Sequence, residues 1–322
     1  MKIVITGGAG FLGLRLARKL LERGTLTGAS GIPRPVSQVV LVDVAKANLG
    51  DARAVHLVGD IADPAFIAAA IGHDTASVFH LAAVVSGQAE AEFDVGMRVN
   101  LDATRGLLEA CRKLPKAPRV VCASSVAVFG GVLPPLVPET WHLTPQNSYG
   151  MQKAIGELLV NDYSRKGYID GRALRLPTVC VRPGKPNKAT SSFASGIIRE
   201  PLAGKEAVCP VAPEVPMWLS SPGSVVGHMI EAHEAPAVAF GYSRSLNLPG
   251  ITVTVGEMVA TLARVAGKEV AARVRWQPDA RIAKIISGWP AGLETKRAQA
   301  MGMKADSGFE ALVRAFIAEE YS

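Results

Sequence analysis

The sequence predicts an α/β protein built on a doubly wound parallel sheet, with a smaller lobe from the later chain interleaved with it. Three observations carry this. Short runs rich in Val and Ile alternate with helical stretches; a glycine triplet separates the first such run from the first helix; and the rhythm is lost past Thr178, where prolines become frequent. Near-continuous apolar strands fit a sheet buried on both faces, and strands alternating with helices imply parallel crossovers.

Residues 2–6, 38–43, 54–58, 77–81, 119–123 and 172–176 read as strands, and residues 12–23, 64–71, 91–114 and 148–166 as the helices between them. Residues 25–37 hold glycines and prolines and read as a surface loop. Residues 182–222 are proline-rich, with little periodicity. Residues 224–234 look helical again, residues 245–248 suit one more strand, and residues 256–266 and 307–320 read as helices outside the sheet. The expected partition is a nucleotide-binding domain over residues 1–180, with residues 223–249 returning to it, and a substrate lobe from residues 181–222 and 250–322.

Apolar residues make up 48% of the 322, enough for a large core, and charged residues 20%. The formal net charge of +7 favours anionic partners, but the basic residues are scattered, without the clustered patch that nucleic acid requires. Cys111, Cys122, Cys180 and Cys209 form no CxxC pair and have no histidine at ligand spacing, so no metal site is expected and the thiols read as small buried hydrophobes of a reducing compartment. No stretch reaches the ~18 apolar residues of a membrane span. The N-terminus lacks the apolar run of a signal peptide, so a cytoplasmic protein is expected.

The segment Thr6-Gly7-Gly8-Ala9-Gly10-Phe11-Leu12-Gly13 follows the first strand and opens the first helix. Glycines at 7, 10 and 13 allow a tight turn, close backbone approach to a pyrophosphate and close helix packing. A phosphate would then sit on free N–H groups at the helix N-terminus, which makes Gly7, Gly10, Phe11, Leu12 and Gly13 candidate cofactor-binding residues. Strand before, helix after and βαβ context together predict a dinucleotide site. Asp43 ends the second strand, where a carboxylate accepts from ribose hydroxyls and repels a 2′-phosphate; this favours NAD. Its distance from the glycines exceeds the usual ~20 residues, and the loop at 25–37 accounts for the excess. A helix N-cap or a solvated loop carboxylate is the alternative role for Asp43. Asp60-Ile61 follows the third strand at a position suited to adenine, or is a turn.

Tyr149 and Lys153 are four residues apart on an expected helix and so share a face. A phenol of pKa about 10 is a poor base at neutral pH, and a nearby cation lowers that value. Tyr149 is therefore the candidate base for an alcohol proton, and Ser125, at a strand end, the candidate group to orient the substrate oxygen.

In these elements the chain resembles the extended short-chain dehydrogenases/reductases, a Rossmann-fold family that includes nucleotide-sugar epimerases and dehydratases. The matching elements are Thr6 to Gly13, Asp43, Gly59-Asp60-Ile61, His80-Leu81-Ala82-Ala83, Asn100, Ser124 to Gly130, Tyr149 with Lys153, and Arg175-Leu176-Pro177. The resemblance implies catalytic roles for Ser125, Tyr149 and Lys153. It places Leu81, Ala82, Ala83 and Asn100 along the cofactor groove, and Pro177 and Val179 near the nicotinamide carboxamide. It also suggests a homodimer formed by helices 91–114 and 148–166. The chain departs from the family at Phe129, often Tyr, and at Thr178, often Asn in epimerases. Met217-Trp218-Leu219-Ser220-Ser221-Pro222 stands where nucleotide-sugar enzymes commonly carry an Arg- and Asp-rich stretch.

Arg182-Pro-Gly-Lys185-Pro-Asn187-Lys188 follows the nicotinamide-side strand. It can grip a carboxylate, or be a solvated basic loop. Together with Val84-Val85-Ser86-Gly87 and residues 192–202, it resembles a subgroup acting on four-carbon sugar acids. The resemblance implies that Ser86, Ser125, Thr178, Arg182, Lys185 and Asn187 hold a small anionic sugar acid. Two other readings remain open, a nucleotide-sugar epimerase with retained NAD and a non-catalytic dinucleotide sensor. Dehydration is disfavoured, because Val126-Ala127 supplies no carboxylate beside Ser125. His80 and Trp218 read as structural.

Overall fold

A computed structural model describes residues 1–28, 30–47, 49–186 and 189–321. Seven strands form the main sheet: β1 (Lys2–Thr6), β2 (Gln38–Asp43), β3 (Ala54–Val58), β4 (Thr75–His80), β5 (Arg119–Ser125), β6 (Asp170–Leu176) and β7 (Ser245–Asn247). Their order is β7-β6-β5-β4-β1-β2-β3, and every neighbouring pair is parallel. The order reverses between β1 and β4, and the crevice at such a switch point lies beyond the carboxyl ends of the strands.

Alternate strand residues feed two apolar cores. Ile3, Ile5, Val39 and Leu41 pack against helices Phe11–Arg23 and Pro222–Glu234, while Val4, Val40 and Val42 pack against Pro64–Ala70, Ala103–Arg112 and Ser148–Arg165. Burying each such Leu, Ile or Val contributes roughly 1.5–3 kcal/mol. A third core gathers Cys180, Ile197, Leu219, Val255, Leu262 and Phe316 from the later chain. No helix among the described residues is long and apolar enough to cross a membrane.

Three expectations need correction. Residues 25–37 are not plain loop, since Thr25–Thr27 and Pro33–Pro35 pair as a small antiparallel hairpin. The expected helix at 91–114 is broken at Glu92, and its middle widens into a π-turn at Met97–Asp102. The proline-rich stretch contains helix Ser192–Leu202 and strands Ala207–Cys209 and Pro216–Ser220. That helix buries Ala194, Ile197, Ile198 and Pro201, a helical spacing that Pro201 masks by standing in the last turn.

The edge of the sheet away from the crevice is tied by one carboxylate. Asp170 accepts from Arg119 (2.9 Å), Arg172 (2.5 Å) and Arg244 (2.9 Å). Arg119 and Arg172 also donate to the carbonyls of His233 (2.6 Å) and Ala232 (2.8 Å), the last turn of helix Pro222–Glu234. Burial alone would raise the Asp170 carboxyl; the Arg172 and Arg119 guanidinium groups outweigh it and hold the pKa low. Asp170→Asn leaves these arginines without a counter-charge and should cost about 3 kcal/mol in urea unfolding. Because the folded pKa lies below the unfolded one of about 3.9, the carboxylate's contribution is present above that value and fades as pH falls through the lower one. The variant should therefore lose less stability between pH 5 and pH 2 than the parent, and equal acid sensitivity would contradict the assignment.

Candidate active site

The crevice is a cleft of about 590 Å³ that runs from the glycine loop to the start of the later lobe. At its first end, Gly7 has φ +70° and lies against Ala82, whose nitrogen would be 2.8 Å from an added Cβ. A Cβ on Gly13 would fall 2.2 Å from the Gly7 carbonyl oxygen, so the first helix touches the loop only because glycine is there. That helix begins at Gly10 with no side-chain cap and no acid in its first turn. Its free N–H groups and positive dipole end therefore face the cleft, a cradle that suits a pyrophosphate.

Asp43 is braced at the end of β2, accepting from the Ala9 N–H (3.0 Å) and the Ala45 N–H (3.1 Å). No helix begins there among the described residues, which removes the N-cap alternative. Asp60 accepts from the Ala62 N–H (2.9 Å) and pairs with Arg98, whose guanidinium holds the carboxyl below its usual range. Arg98 lines the cleft and has no motif to announce it. Together these residues fit the dinucleotide that the glycine loop predicts.

At the second end, β5 delivers Ser125, whose hydroxyl accepts from the Ala127 N–H (3.1 Å) and caps a short 3₁₀ turn, Val126–Val128. Helix Ser148–Arg165 is capped by Asn147, which accepts from the Gly150 N–H (2.8 Å). A Cβ on Gly150 would lie 2.1 Å from the Ala127 carbonyl oxygen. This contact sets Tyr149 beside Ser125. Lys153 is buried, donates to the Ala123 carbonyl (2.8 Å), and holds its ammonium 5.6 Å from the centroid of the Tyr149 ring.

The phenol is not depressed as the Tyr-Lys spacing suggests. Burial raises its pKa, opposed by the neighbouring Ser125 hydroxyl and the Arg182 guanidinium, because Lys153 turns its ammonium toward a backbone carbonyl. Burial pulls Lys153 itself down to about 8.

Arg182 enters the cleft from the later lobe. Its peptide is pinned on both sides: the N–H donates to Ser195 (3.0 Å), and the carbonyl accepts from Arg199 (2.8 Å). Its guanidinium, partly desolvated, has no acceptor among the described residues. Ser86 opens helix Ser86–Ala91 in the facing wall and accepts from the Thr190 N–H (3.4 Å).

All the described residues expected from the sequence line this cleft except Asn100 and Lys185. Asn100 is buried behind the wall and holds Val84 instead. Lys185 is exposed, since the loop turns outward at Gly184, and Asn187 and Lys188 lie outside the described residues. Trp289 also lines the cleft, and nothing in its sequence surroundings marks it. His80 is structural, bonded to Thr6 (2.7 Å) and Thr104 (2.9 Å), with burial lowering its pKa to about 3. Trp218 packs with Val126 and Phe129.

The NAD dependent epimerase/dehydratase family model matches residues 3–220. The chain is 56% identical to the D-erythronate dehydrogenase of Cupriavidus necator over 98% of both chains. It is 44% identical to that of Haemophilus influenzae over 98% of this chain and 99% of the relative. The crystal structure of a nucleoside-diphosphate-sugar epimerase from Agrobacterium tumefaciens superposes with a TM-score of 0.93 at 44% identity, covering 99% of this chain and 94% of that one. With its glycine loop, its Ser125, Tyr149 and Lys153 set and a family match across most of its length, the chain belongs to the NAD dependent epimerase/dehydratase family.

Proposed function

We propose that the protein oxidises the C2 hydroxyl of D-erythronate or a closely related short sugar acid to the 2-keto acid, with NAD as hydride acceptor. The observation that carries this is Arg182, whose peptide is pinned and whose guanidinium is unpaired among the described residues, in the same cleft as Tyr149. A partly buried charge calls for a counter-charge, and the two erythronate dehydrogenase relatives act on a carboxylate.

Arg182 and Ser86 hold the acid, with Thr178 beside them. Ser125 donates to the C2 oxygen. Tyr149, as phenolate, takes the hydroxyl proton while the C2–H bond breaks and the C2=O bond forms. Bound NAD supplies the electron sink for the departing hydride. Lys153 keeps a positive charge beside the phenolate and holds the helix to β5 through Ala123. Asp43 would hold the adenosine ribose of the dinucleotide, and the free N–H groups of the helical turn after Gly10 its pyrophosphate. Residues 181–222 and 250–322 serve as the substrate lobe. Two copies pair through the exposed Phe93 and Leu158 on the helices beside the cleft, and the dimer works in the cytoplasm.

The test is NADH formation with a panel of four- to six-carbon sugar acids. Tyr149→Phe should lose at least about a hundredfold in kcat with NAD binding intact. Arg182→Gln should raise the KM for the acid roughly ten- to a hundredfold. Because Arg182 stabilises the phenolate, removing it should also move the alkaline-rising limb of kcat/KM to higher pH; an unmoved limb would contradict that role. The Agrobacterium structure favours a second reading. Tightly retained NAD, no NADH from any acid and turnover of a nucleotide sugar would establish it.

A further inference from the structure

Gln152 sits one residue before Lys153, is fully buried, and takes no part in the chemistry above. Its Oε1 accepts from the Asn100 Nδ2 (2.8 Å). The same Asn100 amide clamps one peptide of the cleft wall: its Oδ1 accepts from the Val84 N–H (2.9 Å) and its Nδ2 donates to the Val84 carbonyl (3.2 Å). An amide that must accept at one end and donate twice at the other has a single workable orientation. Gln152 supplies the acceptor that selects it. Val84 lines the cleft, Val85 is the N-cap of the next helix, and Ser86 is that helix's first residue.

We propose that Gln152 is a positioning residue for the acid: through Asn100 it fixes the Val84 peptide, and so the placement of Ser86 relative to Tyr149 on its own helix. This rests on the reading in which Ser86 and Arg182 hold the substrate. Gly96 gives an independent handle. A Cβ there would lie 2.6 Å from Gln152 Nε2, an atom with no partner among the described residues. Alanine at 96 presses on the Gln152 amide and also, at 3.1 Å, on Ala89 of helix Ser86–Ala91, so quickened exchange at the Val84 amide with that at Ala89 unchanged marks the route through Gln152.

The test compares Gln152→Met and Gly96→Ala with the parent in steady-state assays with D-erythronate and NAD. Both should raise the KM for the acid about five- to tenfold, with kcat, the pH profile and NAD affinity within about twofold, because Tyr149 and Lys153 keep their own supports. Hydrogen exchange at the Val84 amide should quicken in both. An unchanged KM for the acid, or a loss that falls on kcat or NAD affinity, would overturn the proposal. Should Gln152→Met fail to fold, Gly96→Ala decides. Should the parent turn over no acid, the functional reading is what fails, and Val84 exchange still tests the link to Gln152.

Discussion

Gly150 comes so near the Ala127 carbonyl that no other residue fits between them. The rest of the site depends on that contact. It brings the start of a long helix against the turn that leaves β5, and so sets a phenol beside a strand-end hydroxyl. Lys153, one turn later, reaches the Ala123 carbonyl of the same strand and ties the helix down a second time. Gly13 against Gly7 does the same for the first helix and the phosphate loop. Both ends of the cleft are thus built from backbone surfaces in direct contact, with little freedom for reacting groups to drift.

The charges are distributed with equal economy. Where arginines serve structure they are matched with carboxylates: Arg175 with Glu157 beneath the site, and three arginines with Asp170 at the far edge. Inside the cleft Arg98 is still matched with Asp60, but the cations at the substrate end are not. Lys153 and Arg182 have no carboxylate partner among the described residues, and the first helix presents uncapped N–H groups. Positive potential is concentrated at two places, the uncapped helix end, which suits a pyrophosphate, and the Lys153 and Arg182 end, which suits a small acid.

The strands and the chemical motifs were legible because each rests on local pattern. Apolar runs marked β1 to β6, glycine spacing marked the phosphate loop, and the interval from Tyr149 to Lys153 marked the base and its cation. What escaped was set by tertiary packing. Arg98 and Trp289 reach the cleft from elements with no motif. Asn100 reads as a groove residue by resemblance, yet its amide is spent on Val84. Lys185 belongs to a basic run of whose described residues only Arg182 turns inward, because Ser195 and Arg199 hold its peptide. The helix at Ser192–Leu202 was hidden by its own proline. The Tyr149 phenol shows the limit of spacing as a guide, since burial raises it and the ammonium one turn away is turned to the Ala123 carbonyl.

The most direct test of the account follows the hydrogen at C2. D-erythronate carrying deuterium at C2 would be given to the purified protein with NAD, and the reduced cofactor examined by mass spectrometry. The account predicts one deuterium in the NADH for each keto acid formed. Deuterium that stays in the acid, or NADH that forms without it, would mean that C2 is not the carbon oxidised.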